Sequence, residues 1–311
     1  MLITQGLTKR YGKFTALDQL SLTIGDGELH GFVGPNGAGK TTTMRILSTL
    51  MPATSGKASI DGVEVSHHAK KVRRMVGYMP DFFGVYDGLK ASEYLDFYGR
   101  CYGLHYKDRL KMADQLLEIT RLSDKKDAYI DTLSRGMKQR LCLARSLIHD
   151  PKLLLLDEPA SGMDPRARAE MKDILRTLRD MGKTILISSH ILPELSEMCD
   201  SLTILDHGQL VFSGSVEDLS RKMRGQAPLD ILFTQDAESD AIDNAVALLK
   251  QFPGVTGILQ PQDRLLRVDF DGEAGQTADL LRALMEKGLP VMDFHRQPMN
   301  LEKVFMEVTK E

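Results

Sequence analysis

A glycine-rich loop between an apolar strand and a helix restricts the possible folds of this chain more than any other feature. Residues 28–33 (ELHGFV) form the strand pattern, the loop follows at residue 34, and a helical pattern runs on to Leu50. The loop fits G-x-x-x-x-G-K-[ST], in which glycines let backbone N–H groups face a phosphate and the helix adds its positive end. The motif predicts that Lys40 reaches the β- and γ-phosphates of a nucleotide and that Thr41 holds Mg²⁺. Its residues are Gly34, Pro35, Asn36, Gly37, Ala38, Gly39, Lys40 and Thr41.

A second apolar run ends in two carboxylates. Residues 152–159 (KLLLLDEP) are typical of a strand that is buried on both faces of a parallel sheet. Ligands bind at the carboxyl ends of such strands, so Asp157 is predicted to hold Mg²⁺ and Glu158 to act as general base on an attacking water. The alternative is an acidic cap on a helix that begins near Pro159.

A third segment, residues 133–137 (LSRGM), opens a helix. Ser134 and Gly136 at a helix N-terminus can form a second anion site. The chain thus has one phosphate loop and a second helix N-terminus that could bind phosphate. This combination suggests two copies arranged head to tail, in which this helix N-terminus of each copy lies over the nucleotide of the other. The alternative is an ordinary serine N-cap.

The chain divides into two regions of different texture. Up to residue 225, strands at 57–60, 76–79 and 184–188 alternate with helices, one of them at 165–181 with Asp164 as its cap. This alternation predicts an α/β domain with a mostly parallel sheet, and residues 91–148 have a helical pattern. Residues 226–311 have the order βαββαβ, which predicts a small α+β, ferredoxin-like domain, and Asn300 is expected to cap one more helix.

Charge and composition exclude several classes of protein. Forty basic and 43 acidic residues give a net charge of −3, unlike the basic excess of a nucleic-acid binder. The near balance hides an asymmetry: residues 1–225 carry 32 basic and 28 acidic side chains, and residues 226–311 carry 8 and 15. No apolar stretch approaches the ~20 residues of a membrane span, and the first residues lack the apolar core of a signal peptide. Three widely spaced cysteines are typical of reduced thiols in the cytoplasm.

With these motifs in order, residues 1 to about 225 closely resemble the ATP-binding subunit of an ABC transporter. The resemblance implies a P-loop cassette with a mostly parallel sheet, an antiparallel β subdomain and a helical subdomain at about 85–150. It assigns residues 34–42, including Thr42, to the phosphate loop, Tyr11 to adenine stacking and residues 133–137 to the family signature. Glu158, His190 and Lys40 become the catalytic residues, and Ser134 and Gly136 contact the nucleotide. The dimer interface holds Ser134, Arg135, Gly136 and Asp164.

Three positions in two segments depart from the family pattern. After residues 77–80 (GYMP) the family usually has glutamine, which contacts Mg²⁺, and this chain has Asp81. The carboxylate can still bind Mg²⁺, so we expect an active site with altered coupling or hydrolysis. The signature has Arg135 and Met137 in place of glycine and glutamine. The residues leave open whether Arg135 assists the γ-phosphate across the interface or faces solvent.

The resemblance implies an ATPase that uses ATP and Mg²⁺ and works with a separate transmembrane permease and a second nucleotide-binding domain. It would lie in the cytoplasm at the inner face of the membrane. The end LEKVFMEVT (residues 301–309) is similar to the drug- and antibiotic-resistance exporters, so export is favoured over import. The other alternative is an ABC-type ATPase acting on DNA or ribosomes. The C-terminal region has no catalytic cluster and is interpreted as a dimerisation or regulatory domain.

Overall fold

The protein was described from a computed structural model that covers residues 1–82, 84–86, 88–219, 228–237, 239–272 and 274–297. The chain forms two compact units, which divide at Val216 and Glu217. The sequence had placed the change of texture later, near residue 226. The final helix expected after Asn300 lies outside the described residues.

The first unit is built from ten strands and seven helices within the described residues. The strands are β1 (Leu2–Tyr11), β2 (Phe14–Ile24), β3 (Leu29–Val33), β4 (Ser55–Ile60), β5 (Val63–Glu64), β6 (Val76–Met79), β7 (Leu153–Asp157), β8 (Thr184–Ser189), β9 (Ser201–Asp206) and β10 (Gln209–Ser215). The helices are α1 (Lys40–Leu47), α2 (Ala69–Met75), α3 (Ala91–Cys101), α4 (Tyr106–Ile119), α5 (Arg135–Leu147), α6 (Pro165–Asp180) and α7 (Leu192–Ser196).

A six-stranded sheet with the order β10-β9-β3-β8-β7-β6 carries the loops of interest. Its strands are parallel except for the edge strand β10, which confirms the mostly parallel sheet. Every residue of β3 and β7 is buried, as expected for strands covered on both faces. The carboxyl ends of β3, β7 and β8 therefore meet at one edge, followed by the glycine-rich loop, Glu158 and His190.

A second, antiparallel sheet with the order β2-β1-β4-β5 shares one hydrophobic core with the first. Helices α3, α4 and α5 form the helical region between β6 and β7, and they bury Tyr94, Leu117 and Leu143. Helix α1 ends at Leu47, three residues earlier than the pattern suggested, because Thr49 takes a left-handed backbone angle (φ 63°) that a helix does not tolerate.

The second unit has its own core. Its elements are β11 (Leu229–Phe233), α8 (Ser239–Gln251), β12 (Val255–Gln262), β13 (Leu265–Phe270), α9 (Ala274–Glu286) and β14 (Val291–Arg296). The strands form an antiparallel sheet in the order β12-β13-β11-β14. Leu229, Ile231 and Phe233 of β11 pack against Leu249 of α8 and Leu284 of α9. In the described part of the chain, no helix is both long and apolar enough to cross a membrane.

Candidate active site

The glycine-rich loop joins β3 to α1, and the side chain of its lysine contacts the loop's own backbone. Gly39 has φ 102°, and a Cβ atom placed on it would lie 2.7 Å from the carbonyl oxygen of Ala16, so this position requires glycine. The Nζ atom of Lys40 donates hydrogen bonds to the carbonyl oxygens of Gly34 at 2.6 Å and Pro35 at 3.2 Å. Burial lowers the pKa of Lys40, and the nearby carboxylates of Glu158 and Asp157 oppose that shift. The loop thus holds a buried cation beside its own carbonyl oxygens and near the carboxylate of Glu158.

The two carboxylates at the end of β7 have different surroundings. The Asp157 side chain is buried, and its Oδ1 atom accepts a hydrogen bond from Ser188 Oγ at 2.7 Å. The backbone N–H of Glu158 donates to the same Ser188 oxygen at 3.0 Å. Glu158 has φ 49°, the left-handed region that costs a non-glycine residue free energy and is common at functional sites. This backbone turn separates the Glu158 side chain from the buried Asp157.

Glu158 lies between two basic side chains. One carboxylate oxygen, Oε2, lies 3.0 Å from Nδ1 of His190, and Oε1 lies 3.8 Å from Nζ of Lys40. Burial raises the pKa of Glu158, while His190 and Lys40 act in the opposite direction. A raised pKa makes the carboxylate a better proton acceptor, which is the property that a general base needs.

These groups open onto one cleft of about 410 Å³. The cleft brings together most of the residues predicted for nucleotide binding, Mg²⁺ and catalysis. It is lined by Tyr11, Phe14, Ala16, Asn36, Gly37, Ala38, Gly39, Lys40, Thr41, Thr42, Asp81, Glu158, Ser161 and His190. Gly34, Pro35 and Asp157 do not line it, although Lys40 and Ser188 connect them to it through the hydrogen bonds above.

The predicted Mg²⁺ ligands fit a small, hard cation. Asp157 Oδ2 is buried and has no hydrogen-bond partner among the described residues, as expected for an oxygen that coordinates a cation or its water. Thr41 and Asp81 line the cleft. Within the described ranges no cluster of three or more His, Cys, Asp or Glu side chains could form an all-protein metal site. Mg²⁺ is usually held by one or two carboxylates together with phosphates and waters.

The signature residues lie outside this cleft. Ser134 precedes α5, and its Oγ atom accepts a hydrogen bond from the N–H of Met137 at 3.3 Å. Asp164 caps α6 in the same way, with Oδ1 accepting from the N–H of Ala167 at 2.9 Å, which confirms the predicted cap. In the folded chain, both Ser134 and Asp164 therefore act as N-caps. Neither Ser134, Arg135, Gly136 nor Asp164 touches the cleft of its own chain.

Besides Ala16, which lines the cleft, three residues of the site were not predicted. Phe14 lies across the β1–β2 hairpin from Tyr11 and is 62% exposed in the cleft. Ser161 lines the cleft, and Ser188 bonds both Asp157 and the Glu158 backbone. The two serines lie close in sequence to predicted residues, Ser161 before Asp164 and Ser188 before His190. Phe14 carries no such signal, because its position depends on the hairpin pairing.

Comparisons with known proteins agree with this geometry. A family profile described as "ABC transporter" matches residues 17–161. The chain is 34% identical to a Nod factor export ATP-binding protein I of Ralstonia nicotianae, over 99% of this chain and 94% of that protein. It is 35% identical to the daunorubicin resistance ATP-binding protein DrrA3 of Streptomyces coeruleorubidus, over 98% and 94%.

Solved structures match 70–72% of the chain's length. An ATP-binding subunit of an ABC transporter is 29% identical, with a TM-score of 0.65, over 72% of this chain and 93% of that one. The dimeric structure of a bacterial ABC transporter cassette is 25% identical, with a TM-score of 0.64, over 70% and 99%.

Proposed function

Because the chain belongs to the family of ABC transporter ATP-binding proteins, and is therefore an ABC ATPase, we propose that it powers export of a compound through a separate membrane permease. The full-length match carries the export assignment: relatives named for export or drug resistance align with 98–99% of this chain, both compact units included. The alternatives are an importer ATPase and an ABC ATPase acting on DNA or ribosomes, and neither of these two relatives is named for such a role.

The contact that carries the hydrolytic mechanism is that of Glu158 with His190 and Lys40. We assign the backbone of residues 34–42 to the phosphates of ATP, and Lys40 to the β- and γ-phosphates. Glu158 accepts the proton of the attacking water, and His190 holds the carboxylate in place and contacts the γ-phosphate. Positioning and charge stabilisation account for most of the catalysis in phosphoryl transfer.

Mg²⁺ is the cation that this site would hold. Thr41, Asp157 and Asp81 are its proposed protein ligands, supported by the unpartnered Oδ2 of Asp157 and by the place of Thr41 and Asp81 in the cleft. When bound, the ion would neutralise charge on the β- and γ-phosphate oxygens. Tyr11, with Phe14 beside it, is the proposed platform for adenine.

A second nucleotide-binding domain is needed to complete the site. Ser134, Arg135, Gly136 and Asp164 do not line the cleft of their own chain, which supports a head-to-tail pair in which they face the nucleotide of the other copy. A similar cassette has a dimeric structure, which supports pairing of two nucleotide-binding domains. The partner is either a second copy or a paired subunit.

ABC ATPases of transporters work with membrane permeases, and we place this chain at the cytoplasmic, inner face of the membrane. The helical region of α3 and α4 is the proposed docking surface. The C-terminal region, residues 226–311 by sequence, is proposed as a ferredoxin-like dimerisation or regulatory domain. Its βαββαβ order and the sheet order β12-β13-β11-β14 support that fold class.

Transport direction tests the proposal. The chain would be expressed with its permease, and inside-out membrane vesicles would be incubated in a medium that contains ATP and the fluorescent probe daunorubicin. We expect ATP-dependent accumulation of the probe, lost with Glu158→Gln and kept with the exposed control Glu197→Gln, whose carboxylate pairs with Lys172. Accumulation in right-side-out vesicles instead, or full turnover by Glu158→Gln, would contradict export or the role of Glu158.

A further inference from the structure

Arg135 is an unpaired arginine at the edge of the proposed dimer interface. It is exposed and begins α5, directly after Ser134. Other arginines nearby are neutralised: Arg140 contacts Glu170 at 3.3 Å, and Arg168 contacts Glu194 at 2.6 Å. Across the described ranges of the chain, Arg135 forms neither an ion pair nor a hydrogen bond. Its guanidinium thus keeps all of its donors available.

The guanidinium rests on the loop that follows Glu158. A Cβ atom placed on Gly162 would lie 2.6 Å from Cζ of Arg135 and within 2.9 Å of both Nη atoms. Gly162 has φ 69°, a left-handed backbone conformation that L side chains rarely adopt, so this position favours glycine. The same loop is tied to α5 by Gln139, whose Nε2 atom donates to the Ser161 carbonyl at 2.9 Å. The Arg135 guanidinium therefore lies beside the loop that contains Ser161, which lines the cleft.

The position of Arg135 suits binding of a negatively charged group that does not belong to its own chain. It does not line its own cleft, and within the described residues no carboxylate pairs with it; its guanidinium lies beside Gly162. A guanidinium presents a planar fork of donors that matches phosphate oxygens. In phosphoryl transfer, negative charge spreads over the γ-phosphate oxygens, and an arginine supplied in trans stabilises it.

We propose that Arg135 is a further catalytic residue that each copy supplies to the other, its guanidinium contacting the γ-phosphate of the ATP bound by the second copy. This inference rests on the proposed head-to-tail ATPase. In the closed pair the guanidinium keeps its place over Gly162 and adds its donors to those of Ser134 and Gly136. The chemical step is unchanged: water attacks the γ-phosphorus, its proton goes to Glu158, and the bond to ADP breaks.

The first experiment compares Arg135→Ala with Arg135→Lys and with Arg74→Ala, an exposed arginine on α2 away from the cleft. We expect Arg135→Ala to lower kcat about tenfold or more with little change in KM, short of the roughly 10³-fold or larger effect of a sole arginine finger. Lysine should restore part of the rate, and Arg74→Ala should match the unmutated protein. Trapping by Mg²⁺, ADP and vanadate should weaken in Arg135→Ala, while ATP-dependent dimers form normally in the Glu158→Gln background.

A structural role alone would weaken vanadate trapping and ATP-dependent dimerisation together. An unchanged kcat in Arg135→Ala, or this joint loss, would overturn the inference. Failure of the unmutated protein to hydrolyse ATP with its permease would overturn the proposed function itself, and this inference with it.

Mixed dimers test the exchange between copies. When Glu158→Gln is on one copy and Arg135→Ala on the other, one composite site keeps both an intact Glu158 and an intact Arg135. When both substitutions are on the same copy, neither site does. We expect the first mixture to retain substantially more ATPase activity than the second. The reverse order would show that Arg135 acts within its own chain.

Discussion

At the scale of single residues, Glu158 shows how much of the chemistry depends on surroundings. Its carboxylate lies between His190 and Lys40, on a backbone held at φ 49°, and burial raises its pKa. The residue types were predictable from the DE pair after an apolar strand. The contact with His190 was not, because it requires β7 and β8 to be neighbours with this register.

Among the residues that differ from the family pattern, Asp81 can be tested most directly. It lines the cleft with a full negative charge where glutamine would be neutral. We expect Asp81→Gln to shift the Mg²⁺ concentration for half-maximal ATPase activity, or kcat, by about threefold or more. A unit charge about 4 Å away in water is worth about 1 kcal/mol.

The charge-conserving variant Asp81→Glu should stay closer to the unmutated protein than Asp81→Gln. A magnesium titration of steady-state ATPase rates gives both quantities. If Asp81→Gln changes neither of them, the carboxylate does not act on the metal site.

At the scale of elements, α5 and α6 begin with side-chain caps that their sequences predict. Ser134 and Asp164 each accept a hydrogen bond from the third residue after them. The helical patterns do not predict that the N-terminal ends of these two helices lie close together. There the Arg135 guanidinium lies beside Gly162, and Gln139 donates a hydrogen bond to Ser161. This proximity needs long-range packing of two helices separated by the whole of β7.

The cap of α6 gives an element-scale prediction. Asp164→Ala should lower the free energy of unfolding by about 1 kcal/mol, because the N–H of Ala167 loses its acceptor. Asp164→Asn, which can still accept this hydrogen bond, should cost much less. Urea denaturation followed by circular dichroism measures both. Equal losses in the two variants would mean that the charge of Asp164, and not the cap, stabilises the helix.

At the scale of the whole molecule, two units with separate cores occupy one chain. The first core joins both sheets of the cassette, and the second is formed by β11, β13, α8 and α9. The charge is divided between the two regions as well, with a net of +4 for residues 1–225 and −7 for residues 226–311. A mildly basic cassette suits ATP and the negative surface of a cytoplasmic leaflet.

Truncation after Gly225 tests the role of the C-terminal region. Because the cassette has its own core, residues 1–225 should fold and bind ATP. We expect a loss in at least one of dimer formation, permease binding and ATPase rate, measured by light scattering, co-purification and phosphate release. If all three are intact, the proposed dimerisation or regulatory role is wrong.

The sequence by itself determined the phosphate loop, the carboxylate pair, the capped helices and the alternation of strands and helices. These depend on local patterns: spacing of glycines, runs of apolar residues and capping side chains. It also predicted the βαββαβ order of the second unit, element by element. Each of these motifs and elements is encoded within a short stretch of chain, so it can be predicted without knowing the tertiary packing.

Only the tertiary structure decided which of these residues meet. It placed Phe14 beside Tyr11, bonded Ser188 to Asp157, and set Arg135 on Gly162. Such contacts join residues from different elements, and they depend on strand order and helix packing. Strand order and helix packing are set by burial of the whole core. A local sequence pattern does not specify which distant side chain will lie within a few ångströms.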